Sequence, residues 1–136
     1  MYPPEMVKPM QAELADAGFQ ELHTAQAVQN AMKLEGTTLV VVNSVCGCAA
    51  RNARPGAKMS LENDKRPTNL ATVFAGVDKD AVDAARGYMF PFPPSSPSIA
   101  LFKNGELVHM LERHHIEGRP AELIADNLRD AFNEHC

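Results

Sequence analysis

Thr37-Thr38-Leu39-Val40-Val41-Val42-Asn43 is a continuous β-branched run, too short for a buried helix, and it predicts a strand covered on both faces. Before it, Met10, Leu14 and Phe19, with Glu13 and Asp16 between them, predict a short amphipathic helix over 9–18, or from Val7, closed by Gly18. Phe19 to Leu22 fits a short edge strand. Thr24 is placed to cap a helix whose Ala27, Val28, Ala31, Met32 and Leu34 keep helical spacing up to Gly36. After it, Ala49 to Arg54 is made mostly of good helix formers, and Pro55 predicts a bend or an end near Arg54.

The polar stretch from Asn63 to Asn69 predicts a surface loop leading into a second β-like run, Leu70 to Val77. Asp78 is placed to cap a helix over 79–89 that turns Ala81, Val82, Ala85 and Met89 to one side. Phe90 to Pro97 holds four prolines in the seven residues from Pro91, which removes the amide donors of regular structure and predicts a shaped loop. Two apolar runs, Ser98 to Lys103 and Glu106 to Leu111, flank Asn104-Gly105, a strong antiparallel hairpin signal. Pro120 opens a closing helix through Asn133, with Leu123, Ile124, Leu128 and Phe132 facing the core.

Strands alternating with helices, then a hairpin and a last helix, predict an α/β fold with a central mixed sheet flanked by helices on both faces. That is the thioredoxin-like order, and the 136 residues suit one such domain over 1–136. The order also calls for a proline just before the third core strand, where Pro97 stands.

Charge and composition narrow the function classes. A net charge of -4 and a pI near 5.7 leave no basic footprint for nucleic acid or an anionic membrane. No run approaches the length of a membrane helix, and the first residues lack the pattern of a signal peptide, so a cytoplasmic protein is expected. Three cysteines, two of them one residue apart, do not suit a disulfide framework.

The chemistry concentrates at Cys46-Gly47-Cys48. A buried strand that stops there and turns into a helix puts Cys46 at the carboxyl edge of the sheet and at a helix N-terminus, where unpaired amides stabilise a thiolate. Gly47 gives a permissive turn, and Cys48 is within reach as a resolving thiol. A disulfide across one residue closes a small, strained ring, which predicts an oxidant or exchanger and not a strong reductant. Ser96 and Pro97 are expected to shape a groove on which a disulfide-bearing chain lays its backbone.

The stretch from Thr37 to Ala50 with Asn52-Ala53-Arg54-Pro55 after it closely resembles the bacilliredoxin family. Val73-Phe74-Ala75-Gly76, Pro94-Ser95-Ser96-Pro97-Ser98, Arg113-His114 with Ile116-Glu117-Gly118, and the closing Ala131-Phe132 to His135-Cys136 carry the likeness over nearly the whole chain. The resemblance implies reduction of mixed disulfides between proteins and bacillithiol, with disulfide isomerase activity as the alternative. Carried over by position, Cys46 attacks and takes the small thiol, and Cys48 or a second bacillithiol resolves the adduct. The implied co-substrate is bacillithiol or another small thiol, with no bound cofactor, and the implied partners are proteins carrying mixed disulfides.

Arg51 can reach the Cys46 thiolate or face water, and water is the expectation. Arg113-His114-His115 is expected to be a solvated turn, the alternative being a part in tuning Cys46. Cys136 is expected to be a frayed terminal cysteine, against a role as second resolving thiol or tether. A metal carrier would use Cys46 and Cys48 with His114, His115 or Cys136 as soft ligands. A purely structural interaction domain would leave the thiols unreactive. Glu13, Asp16, Glu62, Asp64, Asp78 and Asp80 are expected on solvated faces or at caps. Met6, Met10, Met32 and Met89 are spaced as core or groove fillers, with Phe90 and Phe92 as a rim. Apolar residues near the amino terminus permit a homodimer.

Overall fold

A computed structural model describes residues 2–136. The elements in chain order are α1 (Pro4–Ala15), β1 (Gln20–Glu21), α2 (Ala25–Met32), β2 (Thr37–Asn43), a π-helical turn (Ala49–Ala53) continuous with α3 (Arg54–Ser60), β3 (Asn69–Phe74), α4 (Lys79–Tyr88), β4 (Ser98–Lys103), β5 (Glu106–Leu111), α5 (Arg113–Ile116) and α6 (Ala121–His135).

Among the described residues, five strands form one mixed sheet in the order β1-β3-β2-β4-β5. β3 runs parallel to both β1 and β2, while β2–β4 and β4–β5 are antiparallel. The central strand β2 is buried at every position, as its uninterrupted apolar run requires. Its alternate side chains feed two cores. Leu39 and Val41, with Ile99 and Leu101 of β4, meet Leu14 of α1, Ala53 and Ala57 of the cysteine helix, and Ile124, Leu128 and Phe132 of α6. Val40 and Val42, with Ala100 and Phe102, meet Val28, Ala31 and Met32 of α2 and Ala81, Val82 and Ala85 of α4.

The local signals act where expected. The Thr24 hydroxyl accepts the Ala27 amide at 3.0 Å. Asn104 and Gly105 take φ of 51° and 83°, and Asn104 Oδ1 accepts the Gly36 amide at 2.9 Å, tying the hairpin to the start of β2.

Six details differ from the pattern the sequence predicts. The first helix starts at Pro4 and carries Pro9 inside it, because Val7 and Leu14 together make its buried stripe. The run from Leu70 pairs only to Phe74, after which Ala75 donates to the Asn43 carbonyl and the chain turns at Gly76. Asp78 stands at the start of α4 but binds His23 Nδ1 at 3.1 Å in place of capping. Leu34 and Leu123 are 44% and 55% exposed, outside the cores. Pro55 does not end its helix: one wide turn, with the Arg54 amide bonded to the Ala49 carbonyl, absorbs the proline, and the helix continues to Ser60. Of the methionines, Met32 and Met89 fill the core, whereas Met6 is 42% exposed.

No helix among the described residues is long and apolar enough to cross a membrane.

Candidate functional site

β2 ends at Asn43, and the next residues turn Cys46-Gly47-Cys48 over the carboxyl edge of the sheet into the helix. The turn is built on buried polar groups. Asn43, 1% exposed, bonds the Met10 carbonyl through its amide nitrogen at 3.1 Å, and its oxygen accepts the Ser44 amide at 2.9 Å. Ser44 Oγ accepts the Cys46 amide at 3.2 Å.

Beneath them lies Arg54, 3% exposed, whose Nη1 donates to Asn43 Oδ1 at 2.8 Å and to the Ser44 carbonyl at 2.9 Å. Its Nε meets Glu13 Oε1 at 2.8 Å, and Lys58 Nζ meets Glu13 Oε2 at 2.9 Å. A buried guanidinium is tolerated in a fold when its charge is paired and its donors are engaged, as the Nε and Nη1 donors are here. Glu13 is therefore not a solvated helix residue. Burial pushes its carboxyl up, but Lys58 and Arg54 outweigh burial and hold it below its ordinary value.

The Cys46 sulfur receives the Cys48 amide at 3.4 Å and Arg113 Nη2 at 3.2 Å. The same Nη2 is 3.9 Å from the Cys48 sulfur. Burial pushes the Cys46 thiol up, yet the Cys48 amide, the Cys48 thiol, the Arg113 guanidinium and the Ala49 amide together bring it below its ordinary value. The Cys48 thiol moves the opposite way, raised first by its hydrogen bond to Cys46, then by burial and the charge of Cys46, against the pull of Arg113. The two thiols thus split into one poised to ionise and one that keeps its proton.

Arg113 comes from the short helix α5, directly after the hairpin. Its Nη1 donates to the Ser96 carbonyl at 3.2 Å, its amide to Ser95 Oγ at 3.3 Å, and its Nε pairs with Glu117 at 2.9 Å. Glu112 and His115 close α5 with a reciprocal cap, in which His115 Nδ1 accepts the Glu112 amide at 3.0 Å. Burial, then the neighbouring His114, lower the His115 pKa and favour the neutral ring that this bond needs. The segment read as a solvated turn is thus an ordered helix that delivers a cation to the thiols. Sequence spacing could not show this, because Arg113 and Cys46 are 67 residues apart. Arg51, by contrast, is exposed and lies over Gly47, where an added Cβ would come within 2.8 Å of its Nη2.

Ser96-Pro97 is a cis peptide, as is Phe90-Pro91. Pro97 is buried just ahead of Ser98, which pairs with Val42, so the loop lies across from the strand end that carries the thiols. Phe90 and Phe92 are 82% and 38% exposed beside it.

Cys136 lies at the other end of the sheet. Its thiol is 3.4 Å from Thr37 Oγ1, at the first residue of β2, and a seven-residue strand places it roughly 20 Å from Cys46. That is beyond the reach of a resolving thiol in the same molecule. Among the described residues, the side chains close enough to share a metal ion are Glu112, His114 and His115, and neither thiol joins them.

An activated thiol at the end of the central strand, across from a proline loop in this strand order, defines a thioredoxin-fold thiol–disulfide oxidoreductase. Solved structures support the fold: a thioredoxin variant of Halobacterium salinarum superposes with a TM-score of 0.60 at 13% identity, over 88% of this chain and 91% of that one. The thioredoxin of Trypanosoma brucei brucei gives 0.60 at 18% identity over 86% and 93%.

A family profile described as "Disulphide isomerase" matches residues 2–136. A bacilliredoxin of Cytophaga hutchinsonii is 60% identical over 134 residues, 98% of this chain and 99% of that protein. Another, from Halalkalibacterium halodurans, is 54% identical over 136 residues, 99% of this chain and 94% of that protein. The chain belongs to the bacilliredoxin family.

Proposed function

We propose that the protein removes bacillithiol, or another small thiol, from protein mixed disulfides, with Cys46 as nucleophile and Cys48 as resolving thiol. The observation that carries this reading is the convergence of the Cys48 amide and the Arg113 guanidinium on the Cys46 sulfur.

The Cys46 thiolate attacks the small-thiol sulfur of the mixed disulfide. The new bond joins Cys46 to the small thiol, the old S–S bond breaks, and the protein leaves as thiolate and takes a proton from water. Cys46 is then neutral. The hydrogen bond and charge that held the Cys48 proton are gone, and the Arg113 guanidinium, whose Nη2 is 3.9 Å from the Cys48 sulfur in the free protein, favours the Cys48 thiolate. Cys48 loses its proton, attacks Cys46 and expels the small thiol, leaving a Cys46–Cys48 disulfide for a low-molecular-weight thiol or dithiol to reduce. The order of ionisation is the order of the reaction.

In this reading the Ser96-Pro97 backbone lines the groove for the substrate protein. The cycle needs no bound cofactor, and its free, odd-numbered thiols suit the reducing cytoplasm. Disulfide isomerisation is the second reading, favoured by the family description, and it needs Cys46 far more than Cys48.

Cys48→Ser distinguishes them. Given a bacillithiolated protein, the variant should accumulate a Cys46 adduct with the mass of the small thiol, and Cys46→Ser should be inert. Full turnover by Cys48→Ser without added thiol removes the resolving role, and turnover by Cys46→Ser removes the proposal.

A further inference from the structure

A second cation stands on the far side of the same loop, and the chemistry above does not use it. Arg86 of α4 is half-buried, and its Nε is sealed from solvent with no hydrogen-bond partner. Among the described residues its one hydrogen bond is weak, Nη2 to the Ser95 carbonyl at 3.5 Å. The nearest acid on its own helix, Asp83, is taken by Lys79 at 2.8 Å. Asp83 feels the Arg86 charge but bonds Lys79, so the sealed Nε–H is a buried charged donor without an acceptor, which a ligand anion would supply.

Arg86 lines a groove of about 390 Å³ whose other walls are Ala75, Gly76, Val77 and Val82, with the Lys79–Asp83 pair neutralised at its edge. Hydrogen bonds tie this groove to the site at two points. The Ala75 amide is bonded to the Asn43 carbonyl at 2.9 Å, so one wall is fixed to the strand end that carries Cys46. Arg86 and Arg113 also meet at Ser95: Arg86 weakly through the Ser95 carbonyl, Arg113 through Ser95 Oγ, with the Ser96 carbonyl held by Arg113 as well. A mixed disulfide lying along the loop would have its sulfur at Cys46 and Arg113 and its substituent toward Arg86.

The geometry points to Arg86 and this groove as a subsite for a carboxylate carried by the small thiol, selecting anionic, carboxylate-bearing thiols over neutral ones. The inference rests on the proposed exchange at Cys46. Apolar walls lower the local dielectric and strengthen a charge-assisted bond to the guanidinium. Arg86 acts on selection and binding, and Arg113 on the reacting sulfur.

The test is a pair of disulfides of one shape and different charge: 4,4′-dithiodibutyrate and its neutral bis-amide. Both are reacted with the reduced protein, with Arg86→Gln and with Arg86→Lys. Arg86→Gln should lower the ratio of anionic to neutral kcat/KM roughly tenfold, the size of one charge-assisted hydrogen bond. Arg86→Lys should recover part of the ratio, and the pH profile of Cys46 alkylation should stay as in the unchanged protein. An unchanged ratio, or equal losses on both disulfides, overturns the subsite and leaves Arg86 as a brace for Ser95. If the unchanged protein reacts with neither disulfide, the exchange reading fails by itself. The subsite is then judged by titrating succinate against the Arg86 Nε–H resonance: a saturable shift supports it, and an unmoved signal overturns it.

Discussion

Arg54→Met removes the guanidinium beneath the cysteine turn while keeping most of the stem. Three bonds go with it, to Glu13, Asn43 and the Ser44 carbonyl. Their losses are unequal. Glu13 keeps Lys58 at 2.9 Å, and Asn43 Oδ1 keeps the Ser44 amide at 2.9 Å, whereas the Ser44 carbonyl is left buried without the donor that held it. Hydrogen bonds to charged groups contribute about 1.5–3 kcal/mol each, and breaking a buried pair costs about 3–5 kcal/mol. With Glu13 still paired, the low end applies, about 3 kcal/mol, or roughly 10 °C in Tm for a chain of this size.

The acid side of the stability curve gives an independent reading. Glu13 lies below its ordinary value in the folded protein, so the unfolded chain binds the extra proton in acid. The stabilisation is present above the ordinary carboxylate value and is lost as pH falls through the lowered one. Arg54→Met should flatten that acid loss, and Cys46 should alkylate more slowly at neutral pH because the Ser44 loop loosens. Urea unfolding from pH 3 to 8 measures the first two, and an iodoacetamide rate measures the third. A loss under about 1 kcal/mol with unchanged acid dependence would refute the idea that this cation organises the turn.

Gly56→Ala should destabilise, although alanine is the better helix former by about 1 kcal/mol. An added Cβ meets Ile124 Cγ2 at 2.7 Å and the Ala121 carbonyl at 3.2 Å, so α3 and α6 must part, at about 1–3 kcal/mol on thermal unfolding. Arg113→Gln should raise the apparent pKa of Cys46 toward that of a free thiol, because it removes a cation 3.2 Å from the sulfur. It should slow exchange several-fold at neutral pH in a thiol-release assay, with the difference shrinking in alkali once both proteins are fully ionised.

Elements whose signals lie within a few residues were legible in the sequence. The run from Thr37 to Asn43 left room for little but a buried strand, Asn104-Gly105 for little but a hairpin, and Thr24 found its amide where an N-cap should. The class of site was legible for the same reason, since a thiol pair between strand and helix is a local pattern. Its electrostatics were not. Arg113, Arg54 and Glu13 act across 67 and 41 residues of chain, and each resembles an ordinary surface charge until the fold brings its partner to it. One clue was present: Asn43, a polar residue at the end of a fully buried strand, needs partners, and Arg54 is one of them. At Pro55 the sequence left a bend and an end both open; the helix does not end, and the wide turn ahead of the proline is a tertiary compromise without a sequence signature.

The most direct test of the account is the alkylation rate of Cys46 against pH in reduced protein carrying Cys48→Ser and Cys136→Ser, set beside the same titration of Cys48 with Cys46→Ser. The account predicts an apparent pKa for Cys46 below the roughly 8.5 of a free thiol. It also predicts that Cys48, freed of the neighbouring thiolate but still beside Arg113, titrates lower than it does with Cys46 present. A Cys46 value at or above that of a free thiol would contradict the assignment of Cys46 as nucleophile.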